Sequence, residues 1–131
     1  MAKSPDFLTA TGIGVSNLKR SAEFYEHALG MKQTQRIKLD HMEEIILSHE
    51  GRNAVVLMHF TDGSNPSYVN LPVKLVFYVT DPKAVAARIR QAGGEVTREP
   101  EPTPSFNNVV IGMCKDPDGY VVELIEAPKR E

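Results

Sequence analysis

Glu123 is the residue whose type and surroundings most clearly suggest chemistry, because it places a carboxylate inside an otherwise apolar stretch. Residues 120–125 are rich in β-branched and apolar side chains, a composition that predicts a β-strand. Side chains alternate between the two faces of a strand, so Glu123 shares its face with Val121 and Ile125. Burying an unpaired carboxylate is costly, and the pattern therefore indicates a cationic partner or a water-filled cavity. An edge strand with a simply solvated face would give the same pattern.

A turn with the sequence Asp116-Pro117-Asp118-Gly119 leads into this strand. Its proline restricts φ to the value that the early turn positions need, and its glycine permits a positive φ. The segment is therefore predicted to reverse the chain immediately before the strand that carries Glu123.

The composition limits the class of protein. A chain of 131 residues with 41% hydrophobic and 24% charged residues is typical of one soluble globular domain. The net charge of −2 and the lack of a basic patch argue against nucleic acid. No apolar run is long enough to span a bilayer, and residues 1–6 do not resemble a secretory signal. The single cysteine, Cys114, lies in an apolar strand and is predicted to pack; one cysteine is compatible with a reducing compartment, so a cytoplasmic location is expected.

The elements that must position Glu123 are predicted in two similar halves, each a strand, a helix and three more strands. The first helix is predicted to begin after Asn17 and end at Gly30, and the second to begin after Asp81 and end before Gly94. Residues 61–72 are rich in turn formers and are predicted to link the halves. The predicted strands are 7–15, 32–39, 43–48, 54–60, 73–79, 95–98, 107–114 and 120–125.

The two halves align without gaps around their helices, at an offset of 64 residues. Val15 then matches Val79 and Gly30 matches Gly94, and the order of cap, helix and glycine stop is shared. Duplication of one βαβββ unit is the simplest explanation of this repeat.

Three segments carry a resemblance to a known family: 15–31 (VSNLKRSAEFYEHALGM), 92–100 (AGGEVTREP) and 116–126 (DPDGYVVELIE). They resemble the glyoxalase I, bleomycin resistance protein and extradiol dioxygenase (vicinal oxygen chelate) superfamily over nearly the whole chain. The resemblance implies an α+β fold in which two βαβββ modules form an open, curved eight-stranded sheet around a cleft. It implies one domain over 1–131, with module one at 7–60, the linker at 61–72 and module two at 73–127. It also implies a homodimer in which modules of two chains complete each site.

The family holds a divalent metal through one residue from the first strand and one from the last strand of each module. The four positions are expected to fall on Ala10, Leu57, Lys74 and Glu123, so three of the four ligands are missing. Ala and Leu cannot coordinate, and a protonated Lys repels a cation, so no metal cofactor is expected. A metal held by Glu123 and His59 alone is disfavoured, because two ligands are few for a stable site.

Lys74 and Glu123 are instead expected to form an ion pair in the cleft, with Glu123 as a base and Lys74 as an electrostatic stabiliser. The resemblance implies a lyase- or isomerase-type homologue of lactoylglutathione lyase that acts on a small oxygenated molecule without metal. A non-catalytic binder of the bleomycin-resistance type is the alternative, and a plain salt bridge would also explain the pair. The expected contacts to the bound molecule are His59, Leu57, Ala10, Phe106 and Asn108.

Overall fold

The protein folds as two βαβββ modules, seen in a computed structural model that describes residues 6–64, 66 and 72–128. The first module contains β1 (Thr11–Gly14), α1 (Leu18–Leu29), β2 (Lys32–Lys38), β3 (Met42–His49) and β4 (Arg52–Phe60). The second contains β5 (Lys74–Val79), α2 (Pro82–Gln91), β6 (Glu95–Thr103), a 3₁₀ turn (Pro104–Phe106), β7 (Val109–Lys115) and β8 (Val121–Glu126). The predicted α+β class is confirmed. No helix in the described part of the chain is long and apolar enough to cross a membrane.

The eight strands form two separate four-stranded sheets within one chain, in the orders β1-β4-β3-β2 and β5-β8-β7-β6. The first and last strands of each module pair in parallel, and the other pairs are antiparallel. The predicted fold of two βαβββ modules with eight strands in open sheets is confirmed, and in the described residues each module forms its own four-stranded sheet.

Two strand boundaries differ from the prediction by four or more residues, and the others agree within two. The first strand begins only at Thr11, and Phe7 and Leu8 before it are 79% and 84% exposed. Strand β6 continues to Thr103 although it contains prolines, because it is the edge strand of its sheet and its register shifts around Arg98. Residues 65 and 67–71 of the predicted linker lie outside the described residues.

Both helices begin and end where the sequence predicts. The Asn17 side chain accepts a hydrogen bond from Arg20 N, and Gly30 ends α1 in the left-handed conformation at φ 71°. The Asp81 side chain accepts from Ala84 N and thereby caps α2. Local capping chemistry thus sets the limits of both helices.

Each sheet has one face packed against the helices and one face turned away from them, here called the outer face. Leu57 on β4, Val122 and Leu124 on β8 and Ile89 on α2 are 0% exposed and belong to a single core cluster. Outer-face residues are more exposed, for example Val76 at 53%. The helices therefore bury one side of each sheet, and the outer faces are available for ligands or a partner.

The turn at residues 116–119 joins the two modules. Tyr25 Oη on α1 donates to Asp116 Oδ2 at 2.7 Å, and both groups are buried. Asp116 Oδ1 also accepts from Asp118 N and Tyr120 N at 2.9 Å each. Next to it, Asp118 accepts from Ser16 Oγ at 2.5 Å. The turn predicted only to precede a strand is thus the main polar contact between the modules among the described residues.

Candidate functional site

Glu123 lies on the outer face of the second sheet, as the alternation of side chains along its strand predicts. On β8, Val122 and Leu124 are fully buried, whereas the Glu123 side chain is 14% exposed. On the neighbouring β5, Val76 and Tyr78 are 53% and 69% exposed. Glu123 therefore belongs to a face that is apolar and still accessible.

Glu123 is not an isolated carboxylate, because Lys74 lies beside it. Lys74 Nζ is 2.7 Å from Glu123 Oε1, and the Lys74 side chain is 52% exposed. The predicted ion pair is thus present and is held by adjacent parallel strands, where Val76 pairs with Glu123. An ammonium group has three N–H donors, so Lys74 can donate to Glu123 and to a bound molecule at once.

The strand register identifies the counterpart of Glu123 in the first module. Gly12 pairs with Val56 in the first sheet as Val76 pairs with Glu123 in the second, and Gly12 and Val76 are 64 residues apart. Val56 is therefore the equivalent position. The assignment of Leu57 is wrong, since its side chain is 0% exposed and lies in the core. A shift of one residue turns a side chain to the opposite face of a strand.

His59 shares the helix-facing side of β4 with Leu57, two residues earlier. Its ring Nδ1 lies 3.0 Å from the carbonyl oxygen of Val15. His59 is thus directed to the helix side of the sheet, although it is only partly buried, and its contact with a bound molecule stays a prediction. His59 lies on the helix-facing side of its sheet and Glu123 on the outer side of the other sheet, so the structure does not bring the two side chains together within one chain.

Ala10, Phe106 and Asn108 occupy the ends of strands. Ala10 is partly buried, immediately before β1 and 64 residues before Lys74. Phe106 is 62% exposed in the β6–β7 turn, where Asn108 N donates to the Thr103 carbonyl at 3.0 Å. This turn precedes β7 and lies about 13 Å along that strand from the level of Glu123. Only a long ligand could contact both Glu123 and the turn.

The family's metal does not fit the four equivalent positions, Ala10, Val56, Lys74 and Glu123. The first two side chains have no donor atom, and the ammonium of Lys74 is held by the carboxylate that would have to bind the ion. In residues 6–64, 66 and 72–128, no group of three His, Cys, Asp or Glu side chains is placed to hold a metal. Of the four positions, Lys74 and Glu123 are thus the ones whose side chains can take part in acid–base chemistry.

The outer face of the first sheet was not recognised from the sequence. It carries the small residues Gly12 and Gly14 beside Val56 and Met58. Met58 covers Gly12 closely, because a Cβ there would be 3.2 Å from Met58 Sδ. This face is apolar near β1, whereas the equivalent strand of the second sheet, β5, also carries Lys74. The sequence signal for this face is the pair of glycines in β1, because a glycine inside a strand allows another group to approach the backbone closely.

Cys114 is a packing residue, as predicted. It is 0% exposed, and burial raises the pKa of its thiol to about 11. A neutral buried thiol is a poor nucleophile, so Cys114 takes no part in the site.

The two modules, joined through their helices and each with an open sheet face, define a glyoxalase-like α+β protein. The chain belongs to the Glyoxalase/Bleomycin resistance protein/Dioxygenase superfamily, whose family model matches residues 8–124. The resemblance inferred from the three sequence segments is thus confirmed.

Individual relatives agree with this family. The chain is 32% identical over 125 residues to lactoylglutathione lyase of Salmonella typhimurium, with 92% of each chain covered. It is similar to the structure of glyoxalase I from Zea mays, with a TM-score of 0.79, 27% identity and 96% of this chain covered. The chain spans about half of that maize protein, 48% of its length. The fold is also that of TnmS3, an antibiotic binding protein from Streptomyces, with a TM-score of 0.72, 21% identity and coverages of 97% and 100%.

Proposed function

We propose that the protein binds a small oxygenated organic molecule at the outer face of the second sheet and acts on it as a metal-independent lyase or isomerase. The contact between Lys74 Nζ and Glu123 Oε1, in the middle of an accessible apolar face, carries this proposal. Lactoylglutathione lyase is the name of the Salmonella relative, and the proposed chemistry is of that general kind.

The pair provides the two groups that enolisation of a carbonyl compound needs. Glu123 removes a proton from the carbon next to the carbonyl, and the electrons of the broken C–H bond form the carbon–carbon double bond. The carbonyl oxygen becomes an enolate oxygen, to which Lys74 donates a hydrogen bond. Because the two side chains are in contact, one small molecule can reach both.

Glu123→Gln should abolish proton exchange at such a carbon. We expect the natural protein to speed hydrogen–deuterium exchange of at least one of three probes in D₂O, namely dihydroxyacetone, phenylacetone and phenylpyruvate, followed by proton NMR. Loss of a general base lowers such rates about 10²- to 10⁴-fold. Glu43→Gln is the matched control, since Glu43 is an ion-paired strand carboxylate of the other sheet, 3.1 Å from Arg36, and it should keep the natural rate.

The same experiment distinguishes the second candidate, a non-catalytic binder. The high exposure of Val76 and Tyr78 favours it, since apolar surface of this kind can hold an aromatic molecule without chemistry. TnmS3, which shares the fold, is an antibiotic binding protein. If a probe binds saturably but its hydrogen–deuterium exchange is no faster than in buffer alone, the enzyme hypothesis is rejected and the non-catalytic binder is supported.

We also propose a homodimer, in which the apolar outer face of one chain's first sheet covers the second sheet of its partner. Exposed large side chains such as Tyr78 support it, because their burial would stabilise association. Tyr78→Glu should shift the protein to monomer in light scattering after size exclusion, whereas Ala87→Glu, on exposed α2 surface, should not. A natural protein that is monomeric at micromolar concentration would contradict the dimer.

A cytoplasmic location, expected from the single cysteine, belongs to the same proposal.

A further inference from the structure

The outer face of the second sheet carries its side chains in three rows that cross β5, β8 and β7. The rows are Lys74-Val121-Lys115, then Val76-Glu123-Met113, then Tyr78-Ile125-Ile111. Successive rows are two residues apart along each strand, about 7 Å. The face therefore changes from a cationic end, through one carboxylate, to an apolar end.

The cationic end has donors free for an anion. Lys74 is 52% exposed and has N–H donors beyond the one that points to Glu123. Lys115 is exposed and shares the row. Glu95 is opposite Lys115 on β6 and is also exposed, whereas Glu101 is 3.6 Å from Arg98. Lys74 and Lys115 thus form the row next to Glu123, whereas Arg98 lies in the row of Glu123, beyond Met113, and has Glu101 as its partner.

The apolar end opens into a groove. The groove has a volume of about 420 Å³, and Tyr78, Val109 and Ile125 line it. Glu126 also borders it, with Oε1 3.4 Å from Val110 N. A site of this size and lining suits an aromatic or branched aliphatic group.

We infer that the substrates are 2-oxo acids with an apolar body, and this inference rests on the function proposed above. In such a molecule a carboxylate is followed by a carbonyl, then by a carbon with acidic hydrogens, then by the apolar group. This order is the order of the three rows: lysines for the carboxylate, Glu123 for the acidic carbon and the groove at Tyr78 for the body.

The reaction at this face is keto–enol tautomerisation, which needs no oxidant or reductant. Glu123 takes a proton from C3, and the C3–H electron pair becomes the C2=C3 bond. The carbonyl π electrons move to oxygen, where Lys74 stabilises the enolate. The proton held by Glu123 either passes to the oxygen, which gives the enol, or is first replaced by a deuteron from D₂O, and delivery of that deuteron to C3 gives the isotope exchange.

Phenylpyruvate and phenylacetone test the class, because they differ only in the carboxylate. In D₂O, we expect kcat/KM for exchange at C3 of phenylpyruvate to exceed that for the corresponding CH₂ of phenylacetone by about tenfold to a hundredfold, the value of a charge-assisted hydrogen bond. Lys115→Met should raise KM for phenylpyruvate about tenfold, leave kcat nearly unchanged and not affect phenylacetone. Lys83→Met, on exposed α2 surface, should change neither substrate.

Other outcomes reject either the substrate class alone or the proposed function together with it. If phenylacetone exchanges as fast as phenylpyruvate, and Glu123→Gln abolishes both rates, the base is correct and the 2-oxo acid class is wrong. If Lys115→Met lowers the exchange rates of phenylpyruvate and phenylacetone equally, the lysines do not bind the carboxylate, and the 2-oxo acid class is again wrong. If the natural protein exchanges none of the probes, both the proposed function and this inference are overturned.

Discussion

A chain carrying Ala10→His, Val56→Glu and Lys74→His should bind one Zn²⁺ or Ni²⁺ per chain, whereas the natural chain should keep only substoichiometric metal after dialysis. The three changes supply the donors missing from the positions equivalent to the family's ligands, and Glu123 supplies the fourth. The four donors meet in the dimer proposed above, in which the first sheet of one chain covers the second sheet of its partner. Four N and O ligands suit Zn²⁺. A complete site corresponds to a Kd on the order of nanomolar or tighter. Elemental analysis of dialysed protein and titration calorimetry measure both quantities.

The matched control is Ala10→His, Leu57→Glu and Lys74→His, which differs from the first variant by one strand position. Leu57 is 0% exposed in the core, so its replacement buries a carboxylate without a partner. This control should bind no metal tightly and should lose several kcal/mol, on the order of 3–5, of unfolding free energy. Tight binding by the control, with none by the Val56 variant, would show that the register is misassigned. One tightly held ion in the natural chain would show that Lys74 does not exclude metal.

Much of the fold could be predicted because it depends on local signals. Asn17, Gly30 and Asp81 set the helix ends by contacts within a few residues, so the sequence around them was sufficient. The duplication reinforced these signals, since each module repeated the same order of elements. Strand ends were less certain: the exposed Phe7 and Leu8 have strand-forming side chains but precede β1.

Residues of the site could be predicted only where the pattern along a single strand, or the family resemblance, was sufficient to place them. Alternation along β8 placed Glu123 on the accessible face, and the family resemblance placed Lys74 beside it, where the structure has an ion pair. Val56 was missed because the offset between the two modules is not constant along the chain. Equivalent residues of the helices are 64 positions apart, whereas Val56 and Glu123 on the last strands are 67 apart, as the pairs Gly12–Val56 and Val76–Glu123 show. The difference lies in the intervening strands and turns, which a helix alignment does not constrain.

Loss of the buried carboxylate between the modules should be among the most destabilising single changes. In Asp116→Ala, the Tyr25 hydroxyl and the N–H groups of Asp118 and Tyr120 lose their acceptor. Each buried group without a partner costs about 1–3 kcal/mol, so we expect a loss of about 3–5 kcal/mol. Urea unfolding followed by circular dichroism at fixed protein concentration measures it. Asp40→Ala, at an exposed turn, should change stability by less than about 0.5 kcal/mol; equal effects of the two would contradict a structural role for Asp116.

The same contact should make stability depend on alkaline pH. Burial, and then the negative charge of Asp116, raise the pKa of Tyr25 well above its ordinary value of about 10. Burial likewise raises the pKa of Asp116, although the hydrogen bonds from Tyr25 and Tyr120 oppose the shift. Since the folded state binds the Tyr25 proton more tightly than the unfolded state, this contribution is complete below pH 10 and is lost as pH rises toward the folded pKa.

Tyr25→Phe should therefore be less stable than the natural protein at pH 7, by about 1–2 kcal/mol, and should lose less of its remaining stability between about pH 9 and 11. Tyr78→Phe is the matched control, because Tyr78 is 69% exposed and lies away from the turn; it should keep the alkaline loss of the natural protein. Unfolding free energies from urea titrations at several pH values decide the matter. A parallel decline in all three proteins would show that other groups cause the alkaline loss and that the Tyr25 hydroxyl is not proton-linked to the joint between the modules.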